Sequence, residues 1–202
     1  NAGQSDYETL FSKYSNALNN DLKGYSVLNY MSSHDDGQPF DANRVKGFEA
    51  GTKLLLSPGM SQVYYGDESN RSLVIEGTQG DATLRSNMNW DDIQNNSDTK
   101  RMLWHWQKSG QFRRNHPAVG AGIHSKIESE HYLFSRTYSK GNFTDKVIIG
   151  LDLPAGKKEL PLNSIFENGT KLRDFFSDKE VEVIDGKVLI DSEYGIVLLE
   201  RI

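Results

Sequence analysis

Apolar residues recur at steps of three and four from Asp6 to Asn20, at Tyr7, Leu10, Phe11, Tyr14 and Leu18, with Ser5 or Asp6 placed to cap the first turn. The spacing predicts an amphipathic helix that ends at Gly24. The period then changes. Tyr25 to Met31 is a short, largely apolar run that stops at the polar cluster Ser32-Ser33-His34-Asp35-Asp36-Gly37, the pattern of a buried strand entering a loop. Helical spacing returns over Asn43 to Leu56 through Val45, Phe48, Ala50, Leu54 and Leu55. It closes at Ser57-Pro58-Gly59, before a second short strand over Gln62 to Tyr65. Strand, helix and strand in that order imply a parallel crossover. Gly66 to Asn89 is polar, lacks periodicity and is too long for an ordinary connection, which marks it as functional or disordered. A helix over Thr99 to Arg114 follows, carrying Met102, Leu103, Trp106 and Phe112.

After Pro117 the pattern becomes one of short alternating or β-branched runs separated by Gly, Asn and Asp. They cover Lys126 to Tyr138, Lys146 to Leu153, Lys171 to Phe176, Glu180 to Ile184, Lys187 to Ile190 and Tyr194 to Ile202. Strands so spaced predict an antiparallel β-sandwich. The expected division is therefore an α/β segment, residues 1–118, and an all-β segment, residues 119–202.

Composition narrows the chemistry. At 202 residues the chain is long enough to bury a core, and 23 Lys+Arg against 28 Asp+Glu leave a formal charge of −5 with no basic run. That removes the footprint of a nucleic-acid or anionic-membrane binder and favours a neutral polar substrate. The absence of cysteine excludes a disulfide scaffold, a thiolate nucleophile and a Cys-ligated zinc site. The longest apolar run, around Gly51 to Met60, falls far short of the ~20 residues of a membrane span. Asn1-Ala2 has the form of a cleavage scar, so the chain is expected to be part of a longer protein.

Ser33-His34-Asp35-Asp36 stands at the carboxyl end of a buried strand, where parallel α/β folds gather binding and catalytic groups. Taken alone, a His-Asp pair on a loop serves equally well to cap a strand or a turn. Order and combination add the rest. Tyr30-Met31-Ser32-Ser33-His34-Asp35 resembles the fourth signature region of the α-amylase family of glycoside hydrolases. Gly59-Met60-Ser61-Gln62-Val63-Tyr64-Tyr65-Gly66-Asp67-Glu68 is similar to that family's eighth strand. Arg85-Ser86-Asn87-Met88-Asn89-Trp90 resembles the element after it, and Arg114-Asn115-His116-Pro117-Ala118 the close of the eighth helix. The loop wording, His-Asp-Asp with Pro39-Phe40 and Gly80 to Arg85, is most similar to neopullulanases and the starch-utilisation amylases of Bacteroides-type bacteria.

The resemblance implies the last quarter of a (β/α)8 TIM barrel, from sixth to eighth helix, followed by a C-terminal β-sandwich. It implies a retaining hydrolase of α-1,4-glucosidic bonds in starch, pullulan or maltooligosaccharides, secreted, periplasmic or outer-surface in its parent protein. Asp35 would be the transition-state-stabilising carboxylate and His34 its companion on the same sugar ring. Asp81 and Arg85 would bind hydroxyls one subsite away, although their spacing also suits an ordinary surface ion pair. The family's nucleophile and acid/base motifs have no counterpart here and would lie upstream, so the isolated chain is expected to be inactive and to self-associate through the open barrel surface. The rival reading is a non-catalytic amylase-like or carbohydrate-binding module.

The remaining residues read as framework. Tyr64, Tyr65, Asp67 and Glu68 suit wall and scaffold, and Trp104, Trp106 and Phe112 suit core rather than a sugar platform. His105, His116, His124 and His131 lack metal-ligand spacing. The pairs Asp35-Asp36 and Asp91-Asp92 lack a full calcium ligand set, so no metal is expected in this segment, calcium remaining an expectation for the full-length parent.

Overall fold

The computed structural model describes residues 4–35 and 39–202, with Gln4, Ser5 and Asp81 described by their backbone alone. The Asn1-Ala2 pair and Asp36 lie outside the described residues.

The amphipathic run forms α1 (Gln4–Asn19). The first strand is shorter than its apolar run: β1 is Leu28–Asn29, and it pairs in parallel with β2 (Met60–Ser61), Leu28 opposite Met60 and Asn29 opposite Ser61. Met60 N–H donates to Val27 O at 2.7 Å and Gln62 N–H to Asn29 O at 2.8 Å, the slanted pattern of a parallel ladder. The second strand was expected at Gln62 to Tyr65 and lies two residues earlier. Beyond Gln62 the chain leaves the ladder, and the hydroxyls of Tyr64 and Tyr65 donate to the carbonyls of Leu84 (3.1 Å) and Ser86 (2.9 Å).

The crossover helix α2 (Gly47–Leu56) starts four residues later than its pattern, because Asp41 folds the preceding turn by accepting from the backbone of Val45 (2.9 Å) and Lys46 (2.8 Å). A short helix absent from the sequence reading, α3 (Trp90–Asn95), leads to α4 (Ser97–Asn115), which is capped by Asn96 Oδ1 accepting from Asp98 and Thr99. Pro117 opens the short α5 (Pro117–Ala121).

The rest is antiparallel. The run read as one strand from Lys126 to Tyr138 is a hairpin of β3 (Ile123–Ile127) and β4 (Tyr132–Lys140). Then come β5 (Phe143–Leu151), the unforeseen β6 (Gly156–Pro161), β7 (Lys171–Asp174), β8 (Lys179–Glu182), β9 (Lys187–Ser192) and β10 (Ile196–Arg201). Six strands form one sheet in the order β3-β4-β5-β10-β7-β8, and β6 pairs with β9 in a second.

The large sheet is buried on both faces. Leu133, Ile148, Val197 and Leu199 face a core shared with Leu160, Val188 and Ile190 of the small sheet. Their alternating neighbours Tyr132, Phe134, Val147, Ile149 and Leu198 face the helices, packing with Tyr7, Phe11, Leu56 and Phe112. The order is thus helices, large sheet, small sheet, and the helical layer shares one core with the sheet it covers.

Several polar groups inside this layer are paired, while Arg136 Nε and Nη2 and His124 Nδ1 are buried without a hydrogen-bond partner among the described residues. Arg136 of β4 is fully buried, donates through Nη1 to Leu56 O and Val119 O at 2.5 Å each, and lies 5.0 Å from the ring centroids of Phe11 and Phe134. Burial pushes its guanidinium down to about 9. His116, between α4 and α5, reaches Asp145 (2.9 Å) and Glu200 (2.6 Å) on the sheet. His124 Nε2 lies 3.0 Å from Glu8 of α1. His105 Nε2 lies 3.0 Å from Thr52 Oγ1, joining α4 to α2, and burial lowers its imidazole to about 4. Burial lowers His124 as well.

A buried imidazole with a depressed pKa contributes stability that is complete above its unfolded value near 6.5 and is lost as pH falls toward the folded value. Stability should therefore drop between pH 6.5 and 4, with His105 accounting for up to about 3 kcal/mol. Thermal melts across that range should show a smaller decline for His105→Gln than for the parent sequence. An unchanged slope would remove His105 as the titrating group.

Candidate active site

Because β1 and β2 run in parallel, the segments leaving their carboxyl ends emerge on the same side, the place where open α/β units bind ligands. Ser32, His34 and Asp35 follow β1, while Tyr64 to Asp67 follow β2. The long polar stretch beyond contains two 3-10 turns, Asp67–Ser69 and Gly80–Leu84, and Arg85 leaves the second.

This arrangement brings three of the four residues singled out from the sequence together. Asp35 Oδ2 lies 3.0 Å from His34 Nε2 and its Oδ1 3.8 Å from Arg85 Nη2. Asp35 N–H also donates to Ser33 Oγ at 3.2 Å. The Asp35 side chain is 64% exposed, open to a ligand and flanked by one imidazole and one guanidinium. The fourth residue, Asp81, belongs to the Gly80–Leu84 turn, and its side chain lies outside the described groups. Arg85, which the spacing suggested as a partner for Asp81, is within reach of Asp35.

The exposed trio rests on a buried network. Asp67 Oδ1 accepts from Ser32 Oγ at 2.5 Å and from Arg44 Nη2 at 2.7 Å, and the Asp67 side chain is 1% exposed. Arg44 takes a left-handed backbone conformation (φ 55°) and donates through Nε to Arg71 O at 2.9 Å. Arg71 in turn donates to Tyr65 O (2.8 Å) and Ser86 O (3.0 Å), with its guanidinium 3.9 Å from the Tyr65 ring centroid. Ser32 is thus tied down three residues before Asp35, and Ser86 one residue after Arg85. Tyr64, Tyr65, Asp67 and Glu68 all bond within this framework, Glu68 Oε2 accepting from Gly66 N–H at 3.0 Å. Arg44 and Arg71 escaped the sequence reading because an isolated arginine carries no signal of the carboxylate or carbonyls it will meet across a loop.

Glu49 and Lys53 form an ion pair within α2 rather than part of this site. Among the described residues, no three His, Asp or Glu side chains gather as a metal-binding group, and no helix is long and apolar enough to cross a membrane.

No family model matches the chain. The periplasmic alpha-amylase of Escherichia coli (strain K12) is 40% identical over 129 residues, which is 63% of this chain and 18% of that protein. An alpha-amylase of Anoxybacillus superposes over 98% of this chain and 45% of its own, with a TM-score of 0.59 and 21% identity. The maltotriose-bound pullulanase of Anoxybacillus sp. LM18-11 superposes over 100% of this chain and 31% of its own, with a TM-score of 0.62 and 15% identity. The chain therefore spans under a fifth of the length of the curated relative and under half of these solved chains. The fold is that of a segment of these solved alpha-amylase and pullulanase chains. In sequence and in fold the chain is similar to part of alpha-amylase-family proteins.

The buried Asp67 hub yields a direct test. Asp67→Asn leaves the Arg44 guanidinium without its carboxylate in a buried setting, so the chain should lose roughly 3–5 kcal/mol of stability. A denaturant midpoint within error of the unsubstituted chain would show that the network does not hold the loop.

Proposed function

We propose that the chain is the C-terminal segment of a retaining α-amylase-like glycoside hydrolase that cleaves α-1,4-glucosidic bonds in starch, pullulan or maltooligosaccharides. The observation that carries this reading is the solvent-open Asp35 carboxylate, held between His34 and Arg85 at the carboxyl end of a parallel strand. In this role Asp35 accepts hydrogen bonds from ring hydroxyls, and those bonds strengthen as positive charge develops on the sugar in an oxocarbenium-like transition state. His34 bonds the same ring, while Arg85 and Asp81 hold hydroxyls of the neighbouring unit. Retention also needs a nucleophile and an acid, which other parts of the parent must supply.

The parallel pair fits a barrel quarter spanning residues 1–118, with residues 119–202 as the C-terminal sandwich. Leu28, Tyr30, Met60, Val63 and Tyr65 are all exposed on or beside this pair, although parallel sheets are almost always covered on both faces. That apolar surface supports self-association of the isolated chain, and the periplasmic relative supports a secreted or periplasmic parent. Of the rival readings, a purely structural amylase-like relative has no need of the Asp35, His34 and Arg85 grouping, and a carbohydrate-binding module would use it without turnover.

The isolated chain should release no reducing sugar from starch and should sediment with a concentration-dependent mass; turnover by pure chain refutes the division of labour. In the full-length parent, Asp35→Asn should lower kcat by about a hundredfold or more while changing ground-state binding little. Near-parental turnover would withdraw the role given to Asp35, whereas Arg85→Ala should act mainly on affinity for longer oligosaccharides.

A further inference from the structure

A groove of about 690 Å³ opens between α2, α4 and the loops at one end of the large sheet, and it shares no lining residue with the Asp35 site. We propose that it is a second carbohydrate site, which takes a linear α-glucan; the choice of glucan rests on the function proposed above.

Its volume is within the ordinary range for small-molecule sites, and its lining combines aromatic rings with a few polar groups. Spacing along α4 assigned Trp104 to the core with Trp106 and Phe112. The structure separates them: Trp106 and Phe112 are buried, while Trp104 is only partly buried and borders the groove. The Trp104 and Tyr194 rings lie 5.1 Å apart and within 30° of parallel. Buried Phe176 stands edge-on to both, at 4.8 and 5.2 Å, and so fixes their orientation. Tyr194 is 41% exposed, which leaves its ring available to a ligand. At the other end Phe48 is 37% exposed and lies beneath the Arg101 guanidinium at 5.6 Å.

Glu49, Asp152 and Glu193 also line the groove. Glu49 is paired with Lys53 (2.8 Å), but Asp152 and Glu193 repel an anion and penalise a wholly apolar occupant, which would desolvate them. Lys100 on the same wall and Lys53 beside Glu49 offset part of the negative charge, so simple cation capture is not favoured either. A pyranose suits both halves of the lining. Its C–H face packs against an aromatic ring, and its hydroxyls donate to carboxylates. Because the rings come from a helix and from loops anchored to a sheet, with their backing residues buried, little conformational freedom remains to be lost on binding.

The test is calorimetric titration of the 202-residue chain with maltohexaose, with cellohexaose as the β-linked control. Tyr194→Ser should weaken maltohexaose binding about tenfold, since one sugar–aromatic contact is of that order. Glu193→Gln, at an exposed position, should weaken it by a smaller factor. The Asp35→Asn/Arg85→Ala double variant should retain this binding. The proposal is overturned if folded Tyr194→Ser and Glu193→Gln bind as the unsubstituted chain does, if the double variant alone abolishes binding, or if cellohexaose binds equally well. Failure of the proposed catalytic reading is separately visible, as near-parental turnover by Asp35→Asn in the full-length protein with the Tyr194 effect intact.

Discussion

The end of one helix governs how this molecule is assembled. The last four carbonyls of an α-helix have no partner within it, and in α2 that end is buried beneath the large sheet. Each carbonyl is met by a side chain from elsewhere. Ser57 Oγ donates to Lys53 O at 2.5 Å, Ser61 Oγ to Leu54 O at 2.9 Å, Arg113 to Leu55 O at 3.1 Å and Arg136 to Leu56 O at 2.5 Å. Arg113 also donates to Ser57 O at 2.7 Å and to Gly59 O. Two guanidiniums at the negative end of the helix dipole, one from α4 and one from β4, thus join three parts of the chain at a single point. Burial depresses both arginines, and the carbonyl dipoles compensate charges that have no buried carboxylate beside them.

The strand register follows from that junction. Just past the helix end, Gly59 adopts φ +100°, donates to Gly120 O at 2.8 Å, and sits where an added Cβ would come within 2.8 Å of Val27 O. Only glycine allows β2 to approach the start of β1 so closely. Asn29 Nδ2 donates to Pro58 O at 2.9 Å and closes the same corner. With the register fixed, the loops after the two strands meet through Ser32, Asp67 and Arg44, and Asp35 comes within reach of Arg85. The reactive-looking groups are exposed while their supports are buried, as a site needs if it is to admit ligand and still hold its shape.

The same packing of helices on sheet creates the aromatic groove. A sheet covered on one face by helices leaves a seam where its end loops project beyond the helical layer, and Tyr194 and Asp152 occupy that seam opposite Phe48 and Trp104. The two candidate sites are therefore built differently, one at the carboxyl ends of parallel strands and the other at the border between layers.

Much of the local structure is determined by the sequence itself. Steps of three and four along Tyr7, Leu10, Phe11 and Tyr14 bury one side of α1, and the alternation in β4, β5 and β10 places apolar residues on both faces of a strand. The run Ser33-His34-Asp35 ahead of the Tyr64-Tyr65-Gly66-Asp67 segment was legible because those residue types recur in that order in a known family. Other features depended on partners distant in the chain. Apolar content cannot say how far a strand extends when hydrogen bonding requires a neighbour, so β1 and β2 came out shorter than their patterns and β2 shifted. Helical spacing could not separate Trp104 from Trp106, since it reports a face of α4 but not where the covering sheet ends. Arg44, Arg71 and Arg136 gained their roles only when tertiary folding brought buried carbonyls and a carboxylate to them, because the partner that makes a buried charge tolerable is set by position in space rather than along the chain.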